Sequence, residues 1–143
     1  MREIKFRGYN RKNRQWLYGF YLQNRGAHFV CPNEFATGKS WDDYEVEPET
    51  IGQFTGLTDK NGREIYEGDN LWVDGAGEFI VWYDKDFCQF HLRKRLDTGG
   101  FADKLWSENA SRYEVIGPYR PVGKRQPTGV LKQMIDEKKE NGR

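Results

Sequence analysis

The sequence has few aliphatic residues, few cysteines and no long hydrophobic run. Ile, Leu and Val together number 21, fewer than the 22 aromatic residues. Cys31 and Cys88 are the only cysteines, whereas small secreted domains usually carry more. No apolar run approaches the roughly 18 residues of a membrane span, and the opening residues 1–5 lack the pattern of a signal peptide. We therefore expect a cytoplasmic protein with reduced thiols and no membrane segment.

The charge balance favours a folded chain over a disordered one. The mean hydropathy is low, at -0.95, but the formal net charge is only +1. Disorder usually requires low hydropathy together with a high net charge. A chain of 143 residues is long enough for one domain with short appendages. We therefore expect one folded domain whose core is unusually aromatic.

Several short segments alternate between apolar and polar residues, which is the pattern of half-buried strands. The alternation over residues 3–7 predicts a strand with Ile4 and Phe6 facing inward and Lys5 and Arg7 facing outward. Residues 27–31 predict another short strand, which Pro32 ends. The density of such segments predicts a mainly β fold, a small SH3-like, partly open β-barrel of short antiparallel strands.

Two turns punctuate the centre of the chain. Asn61-Gly62 predicts a type I′ turn, in which both central residues need positive φ. Gly68 marks a second tight turn, because glycine adopts backbone conformations that are barred to other residues. These two bends are expected to hold neighbouring strands together around the core.

The sequence divides into three parts. A β domain covers residues 1–120, a linker rich in proline and glycine covers 121–128, and a C-terminal α-helix with its tail covers 129–143. An irregular, acidic insertion at residues 32–50 interrupts the β domain, and loops of this length are usually functional or mobile. Within it, Ser40 is placed to cap a short helix.

The predicted C-terminal helix carries one narrow apolar stripe. About ten residues are marginal as an isolated helix, so this segment must dock, pair with another chain or fray. Surplus apolar surface commonly serves self-association, so we expect a homo-oligomer. The candidate self-association residues are Val130, Leu131, Met134 and Ile135.

Charge is unevenly distributed despite the small total. Residues 1–26 hold seven Lys and Arg against one acid, whereas residues 31–50 hold six acids against one Lys. We favour internal compensation, in which the acidic segment lies against a basic end; otherwise the basic ends face an anionic partner. Basic side chains contact phosphates and aromatic rings stack on unpaired bases. The candidate nucleic-acid contacts are Lys5, Arg7, Tyr9, Arg11, Lys12 and Arg14.

Two pairs of soft metal ligands, His28-x-x-Cys31 and Cys88-x-x-His91, match a Cys2His2 zinc site by number alone. Both pairs lie in strand patterns, where residues three apart point to opposite faces. We therefore expect a buried thiol and a surface histidine in each strand. No phosphate-binding loop, dinucleotide fingerprint or nucleophile elbow is present. The expectation is no enzyme, no cofactor and no identifiable small-molecule substrate.

Two stretches of the sequence are distinctive. They are Arg2-Glu3-Ile4-Lys5-Phe6-Arg7-Gly8 with Trp16-Leu17-Tyr18-Gly19, and residues 52–62 continuing through 64–69. Together they resemble the YopX-like family of phage and prophage proteins, and residues 114–117 also resemble the family's closing strand. The resemblance covers about residues 1–120, and the insertion at 32–50, residues 97–112 and the C-terminal segment depart from it. It implies a small, mainly β protein encoded by a bacteriophage or an integrated prophage, and it implies no activity, cofactor or catalytic residue.

Two functions fit these observations. The first is a phage-encoded, non-enzymatic binding or self-assembly module that acts in the cytoplasm of the bacterial host. The alternative is a nucleic-acid-binding accessory protein that uses the basic and aromatic N-terminal region.

Overall fold

The computed structural model describes residues 1–94, 101–105 and 107–118. In these residues ten strands form two five-stranded antiparallel sheets, which confirms the prediction of a mainly β fold. The linker and the C-terminal helix, with its candidate self-association residues, lie outside the described residues. The SH3-like barrel stays a prediction, because the described strands form two separate sheets. None of the described helices is long and apolar enough to cross a bilayer.

The first sheet has the strand order β3-β2-β1-β4-β5. Its first strand begins later than predicted, at Phe6, and Ile4 is exposed rather than buried. The third strand has the predicted bounds. The strands are β1 (Phe6–Asn10), β2 (Gln15–Asn24), β3 (Ala27–Cys31), β4 (Gly52–Thr58) and β5 (Glu64–Tyr66).

The second sheet has the order β10-β6-β7-β8-β9. Alternate residues of its strands face inward and pack with Ile65 of β5 into the main hydrophobic cluster. The strands are β6 (Asp69–Val73), β7 (Gly77–Asp84), β8 (Gln89–Lys94), β9 (Phe101–Lys104) and β10 (Tyr113–Pro118). The buried residues of the cluster are Ile65, Leu71, Val73, Phe79, Val81, Leu92, Tyr113 and Val115.

Aromatic rings lie both in the interior and on the surface. Among the described residues, eight aliphatic and five aromatic side chains are buried, and no tryptophan is among them. The core is therefore built from both aliphatic and aromatic side chains, while many other rings lie on the surface. The exposed rings are those of Tyr18, Phe20, Phe35, Trp41, Trp72, Tyr83 and Phe87.

The two predicted turns form, one of them with different geometry. Gly68 has a φ of +86°, as a tight glycine turn requires. Gly62 has a φ of +80°, but Asn61 does not have positive φ, so the type I′ assignment is wrong. The Asp59 carboxylate accepts hydrogen bonds from the backbone N–H groups of Asn61 and Arg63, at 2.9 and 2.8 Å. These side-chain bonds fix the turn in place of the paired left-handed residues of a type I′ turn.

Backbone segments cover one outer edge of each sheet. Along β3, the N–H of Val30 donates to the carbonyl of Tyr44 at 3.0 Å, and Val46 donates to His28 at 2.9 Å. Along β10, the N–H of Lys60 donates to the carbonyl of Tyr113 at 3.0 Å. Neither edge therefore presents a free row of backbone hydrogen-bonding groups at these positions.

Candidate functional site

Arg7, a predicted nucleic-acid contact, lies in the interior. Its side chain is 5% exposed, and its Nη1 donates to Oδ1 of Asp69 at 2.6 Å. Its Nη2 donates to the carbonyl of Glu67 at 3.4 Å. The prediction that Arg7 faces outward is therefore wrong: a buried carboxylate in the second sheet holds its guanidinium beyond the reach of an external phosphate.

Aromatic rings complete the environment of this ion pair. The Arg7 guanidinium lies 4.9 Å from the ring centre of Trp16 and 5.1 Å from that of Tyr66, within the range of a cation–π contact. The backbone N–H of Tyr66 donates to Oδ2 of Asp69 at 2.8 Å. Burial raises the pKa of Asp69, although the positive charge of Arg7 opposes the shift. The cluster joins β1, β2, β5 and β6, and it links the two sheets.

The acidic insertion lies against the basic turn between β1 and β2, as the favoured interpretation of the charge pattern predicts. Nη2 of Arg11 lies 2.6 Å from Oε1 of Glu47. Nζ of Lys12 lies 2.9 Å from Asp42 and 3.0 Å from Asp43. Hydrogen bonds from the Ser40 backbone, Asn13 and Lys12 lower the pKa of Asp43. The insertion thus neutralises two of the predicted nucleic-acid contacts.

The remaining predicted contacts have different environments. Lys5 makes ion pairs with Glu64 and Glu3; burial lowers its pKa, but these two partners outweigh burial and raise it. Tyr9 is half-buried and packs edge-on against Trp16, with ring centres 5.6 Å apart. Arg14 is exposed at the β1–β2 turn, and no ion pair joins it to another described residue. The nucleic-acid interface stays a prediction.

The soft metal ligands occupy different positions from those expected. Cys31 is buried, as predicted, and burial raises the pKa of its thiol. Cys88 is exposed rather than buried, because it precedes β8 in a left-handed turn with a φ of +53°. His91 is buried, not on the surface, since rings of Trp82 and Phe87 pack on it at 5.8 and 5.7 Å.

His28 is half-buried, and its ring Nδ1 is hydrogen-bonded to the hydroxyl of Tyr21. Nδ1 of His91 lies 3.3 Å from the carboxylate of Asp84. Within the part of the chain that the structure describes, no group of three or more His, Cys, Asp or Glu side chains is placed to hold a metal ion. The four soft ligands are therefore distributed over separate sites rather than gathered in one.

Sequence reasoning missed a surface of rings in the acidic insertion. Phe35 and Trp41 are 54% and 57% exposed, and their ring centres lie 6.0 Å apart with planes at 72°. Each ring also packs on a less exposed one: Phe35 on Tyr44 at 5.1 Å, and Trp41 on Phe29 at 5.5 Å. We call these four rings, with Glu34 and Glu45 beside them in the chain, the aromatic–acidic surface.

A short capped helix positions Trp41 on this surface. Residues Trp41–Asp43 form a 3-10 helix, and the N–H of Ser40 donates to Oδ2 of Asp43 at 2.9 Å in a reciprocal capping box. The predicted cap is therefore confirmed. The sequence offered one signal for the surface, namely two large rings inside a charged loop that has no strand or helix periodicity to bury them.

The carboxylates of the surface differ in how they are engaged. Asp42 and Asp43 already bind Lys12. Glu34 and Glu45 are exposed, and no ion pair joins either of them to another described residue. The surface therefore combines accessible rings with two carboxylates that no described cation neutralises, and Lys39 is the one basic residue of the loop. Such a combination is chemically suited to a partner that is both apolar and basic.

The fold and these surfaces define a mainly β protein of two antiparallel sheets with exposed rings in a long acidic loop. The family model described as YopX protein matches residues 5–119. The chain belongs to the YopX protein family.

Among solved structures, the chain is similar to the crystal structure of protein EF1440 from Enterococcus faecalis. The sequences are 23% identical, the alignment covers 82% of this chain and 94% of that chain, and the TM-score is 0.48. No curated protein matches the chain.

Proposed function

We propose that this protein is a phage- or prophage-encoded, non-enzymatic binding or self-assembly module of the bacterial cytoplasm. The observation that supports this is the exposure of Phe35 and Trp41, each more than half accessible on the aromatic–acidic surface. Large rings are enriched where proteins bind one another, and they contribute more binding energy than most other residues.

The support of the two exposed rings makes them suitable anchors. Tyr44 and Phe29 pack behind them, and the Ser40 cap fixes the helical turn that carries Trp41. Aromatic side chains have only two rotatable bonds, so they give contact area at a low entropic cost, and this cost falls further when the rings are already held. We therefore expect this surface to bind a partner with little conformational change.

The two sheets are suited to serve as a rigid scaffold for the aromatic–acidic surface. We propose that the two sheets are the halves of a small, partly open SH3-like barrel. The Arg7–Asp69 ion pair supports this arrangement, because it joins the middle strand of the first sheet to β6 of the second. In this proposal the barrel is the rigid body and the acidic insertion is the binding element.

A paired substitution tests the proposed function. Phe35→Ala with Trp41→Ala removes both accessible rings, whereas Phe87→Ala removes a ring that is 66% exposed near the second sheet. We expect the double variant, but not the control, to lose self-association in sedimentation velocity or capture of a partner from lysogenic cells. Equal association and equal capture by the wild type and both variants would contradict the proposal.

A further inference from the structure

The aromatic–acidic surface has a geometry that suits an extended, proline-containing segment. The exposed rings of Phe35 and Trp41 stand at 72° to each other, with centres 6.0 Å apart. Grooves lined by aromatic rings bind polyproline II segments, because these are already extended and lose little entropy on binding. Acidic residues beside such rings add selectivity for a basic neighbour of the proline.

The chain itself contains a segment with this chemistry, which begins at Pro118, the last residue of β10. Residues 118–127 include three prolines and three basic residues and no acidic residue. Three residues complete one turn of polyproline II, so Pro121 and Pro127, six residues apart, would share one edge of such a helix. Arg120 and Lys124 stand next to Pro121 and one turn beyond it.

The charges on the two sides are complementary. Glu34 and Glu45 are exposed and not engaged in an ion pair with any other described residue. The proline-rich segment contributes only positive charge near Pro121. A proline on the ring pair would therefore bring Arg120 and Lys124 towards carboxylates that make no ion pair with any described residue.

The fold separates the two sites on one chain. Pro118 is paired with Asp69 in the second sheet. Trp41 packs on Phe29 of β3, at the outer edge of the first sheet. Since the proposed function includes self-assembly, we assign the segment to a second copy.

We infer that the aromatic–acidic surface binds the proline-rich segment 118–127 of a second copy of this chain. Pro121 lies on the rings of Phe35 and Trp41, while Arg120 and Lys124 pair with Glu34 and Glu45. This inference rests on the proposed function and specifies the partner of the same surface. The contact is heterologous, since one copy provides the surface and the next provides the segment, so it builds rings or chains of copies.

Exchange of the charges tests the pairing in the full chain. Glu34→Lys with Glu45→Lys alters the surface, and Arg120→Glu with Lys124→Glu alters the segment. We expect each pair to weaken self-association about tenfold or more in sedimentation velocity, and the four changes together to restore it. Circular dichroism establishes that each variant is folded. A combined variant that associates no better than either pair would overturn the inference.

A peptide provides an independent measurement that does not depend on assembly of the full chain. A fluorescently labelled peptide of residues 118–127 is titrated with the wild type and with the Trp41→Ala and Phe87→Ala variants. We expect binding to the wild type and to Phe87→Ala, and weaker binding to Trp41→Ala. A matched peptide with Pro121→Ala should also bind more weakly. Equal binding of the two peptides would count against the assigned contact.

The outcomes separate this inference from the proposed function. If loss of Phe35 and Trp41 abolishes association but the charge exchange restores nothing and the peptide does not bind, the surface has another occupant and only the inference falls. If the wild type is monomeric and Trp41→Ala increases tryptic cleavage at Arg120 and Lys124, the segment docks on its own chain and the second-copy assignment is wrong. If neither the peptide nor any cellular partner binds, both fall.

Discussion

Two basic residues of one short segment, Arg7 and Arg11, form ion pairs in opposite environments. Arg7 is almost completely buried and binds Asp69 between two rings. Arg11, four residues later, is 70% exposed and binds Glu47 at the surface. The two ion pairs have the same donor–acceptor distance, 2.6 Å. Solvent, not distance, therefore distinguishes them, because water screens one pair and is excluded from the other.

The largest effect is expected from breaking the buried pair. Arg7→Met leaves the Asp69 carboxylate buried without its cation, which costs about 3–5 kcal/mol in comparable sites. Urea unfolding at neutral pH measures the loss of unfolding free energy. Arg7→Met combined with Asp69→Leu is the matched control, and it should cost less than Arg7→Met alone. An Arg7→Met variant as stable as the wild type would show that the pair is not buried in solution.

A smaller effect is expected from the second interior carboxylate, Asp59. Its oxygens accept three backbone N–H groups, including that of Val115 at 2.8 Å. Asp59→Asn leaves at least one of these donors without an acceptor and should cost about 1–3 kcal/mol. Asp74→Asn, at an aspartate whose side chain is 51% exposed, is the control and should change unfolding free energy little.

The same residue should make stability depend on pH. Burial raises the pKa of Asp59, but the backbone N–H groups of Val115, Arg63 and Asn61 outweigh it, and the pKa is lowered overall. Because its pKa is lower in the folded state, ionised Asp59 stabilises the fold at pH values above its unfolded pKa of about 3.9. This stabilisation is lost as the pH falls through the folded pKa. The difference between the wild type and Asp59→Asn should therefore narrow between neutral and strongly acidic pH. A constant difference would contradict this expectation.

The exposed pair should contribute least to stability. Arg11→Ala removes the partner of Glu47, and exposed ion pairs are worth below about 1 kcal/mol. Added salt should reduce even this small loss of unfolding free energy, because it screens charges that water already reaches. If Arg11→Ala lowered the unfolding free energy as much as Arg7→Met, the buried and the exposed ion pair would not differ in their contribution to stability.

The nucleic-acid hypothesis concerns the same exposed residues and remains a prediction. It requires binding of single-stranded DNA that weakens steeply with salt. Because Arg11 and Lys12 already have carboxylate partners, Arg14→Glu should account for most of the loss seen in the triple variant with Arg11→Glu and Lys12→Glu. Gel retardation measures this, and the absence of any retardation at low salt would remove the hypothesis.

The sequence predicted those features that depend on neighbouring residues. The strand at residues 27–31, the Ser40 cap and the Gly68 turn all follow from local patterns, and all three are present. The mainly β class follows from the number of such patterns.

Features that depend on distant residues were missed. The apolar–polar alternation of residues 3–7 places Arg7 on the outward face of its strand. Its partner Asp69 is 62 positions away, and no local pattern reveals a buried counter-ion. The exposure of Phe35 and Trp41 was also unforeseen, since composition counts rings without showing which of them the core can accommodate. The burial of His91 has the same origin, because the rings of Trp82 and Phe87 cover a face that alternation assigns to solvent.

The covered strand edges restrict how copies of this protein can join. Where residues 44–46 lie along β3 and Lys60 lies along β10, an incoming chain cannot extend the sheet by adding its own strand. Growth of a continuous intermolecular sheet, the route to fibrils, is thereby blocked at these two margins. Copies that meet at these two margins must recognise one another through side chains, and such a contact can come apart without unfolding either subunit.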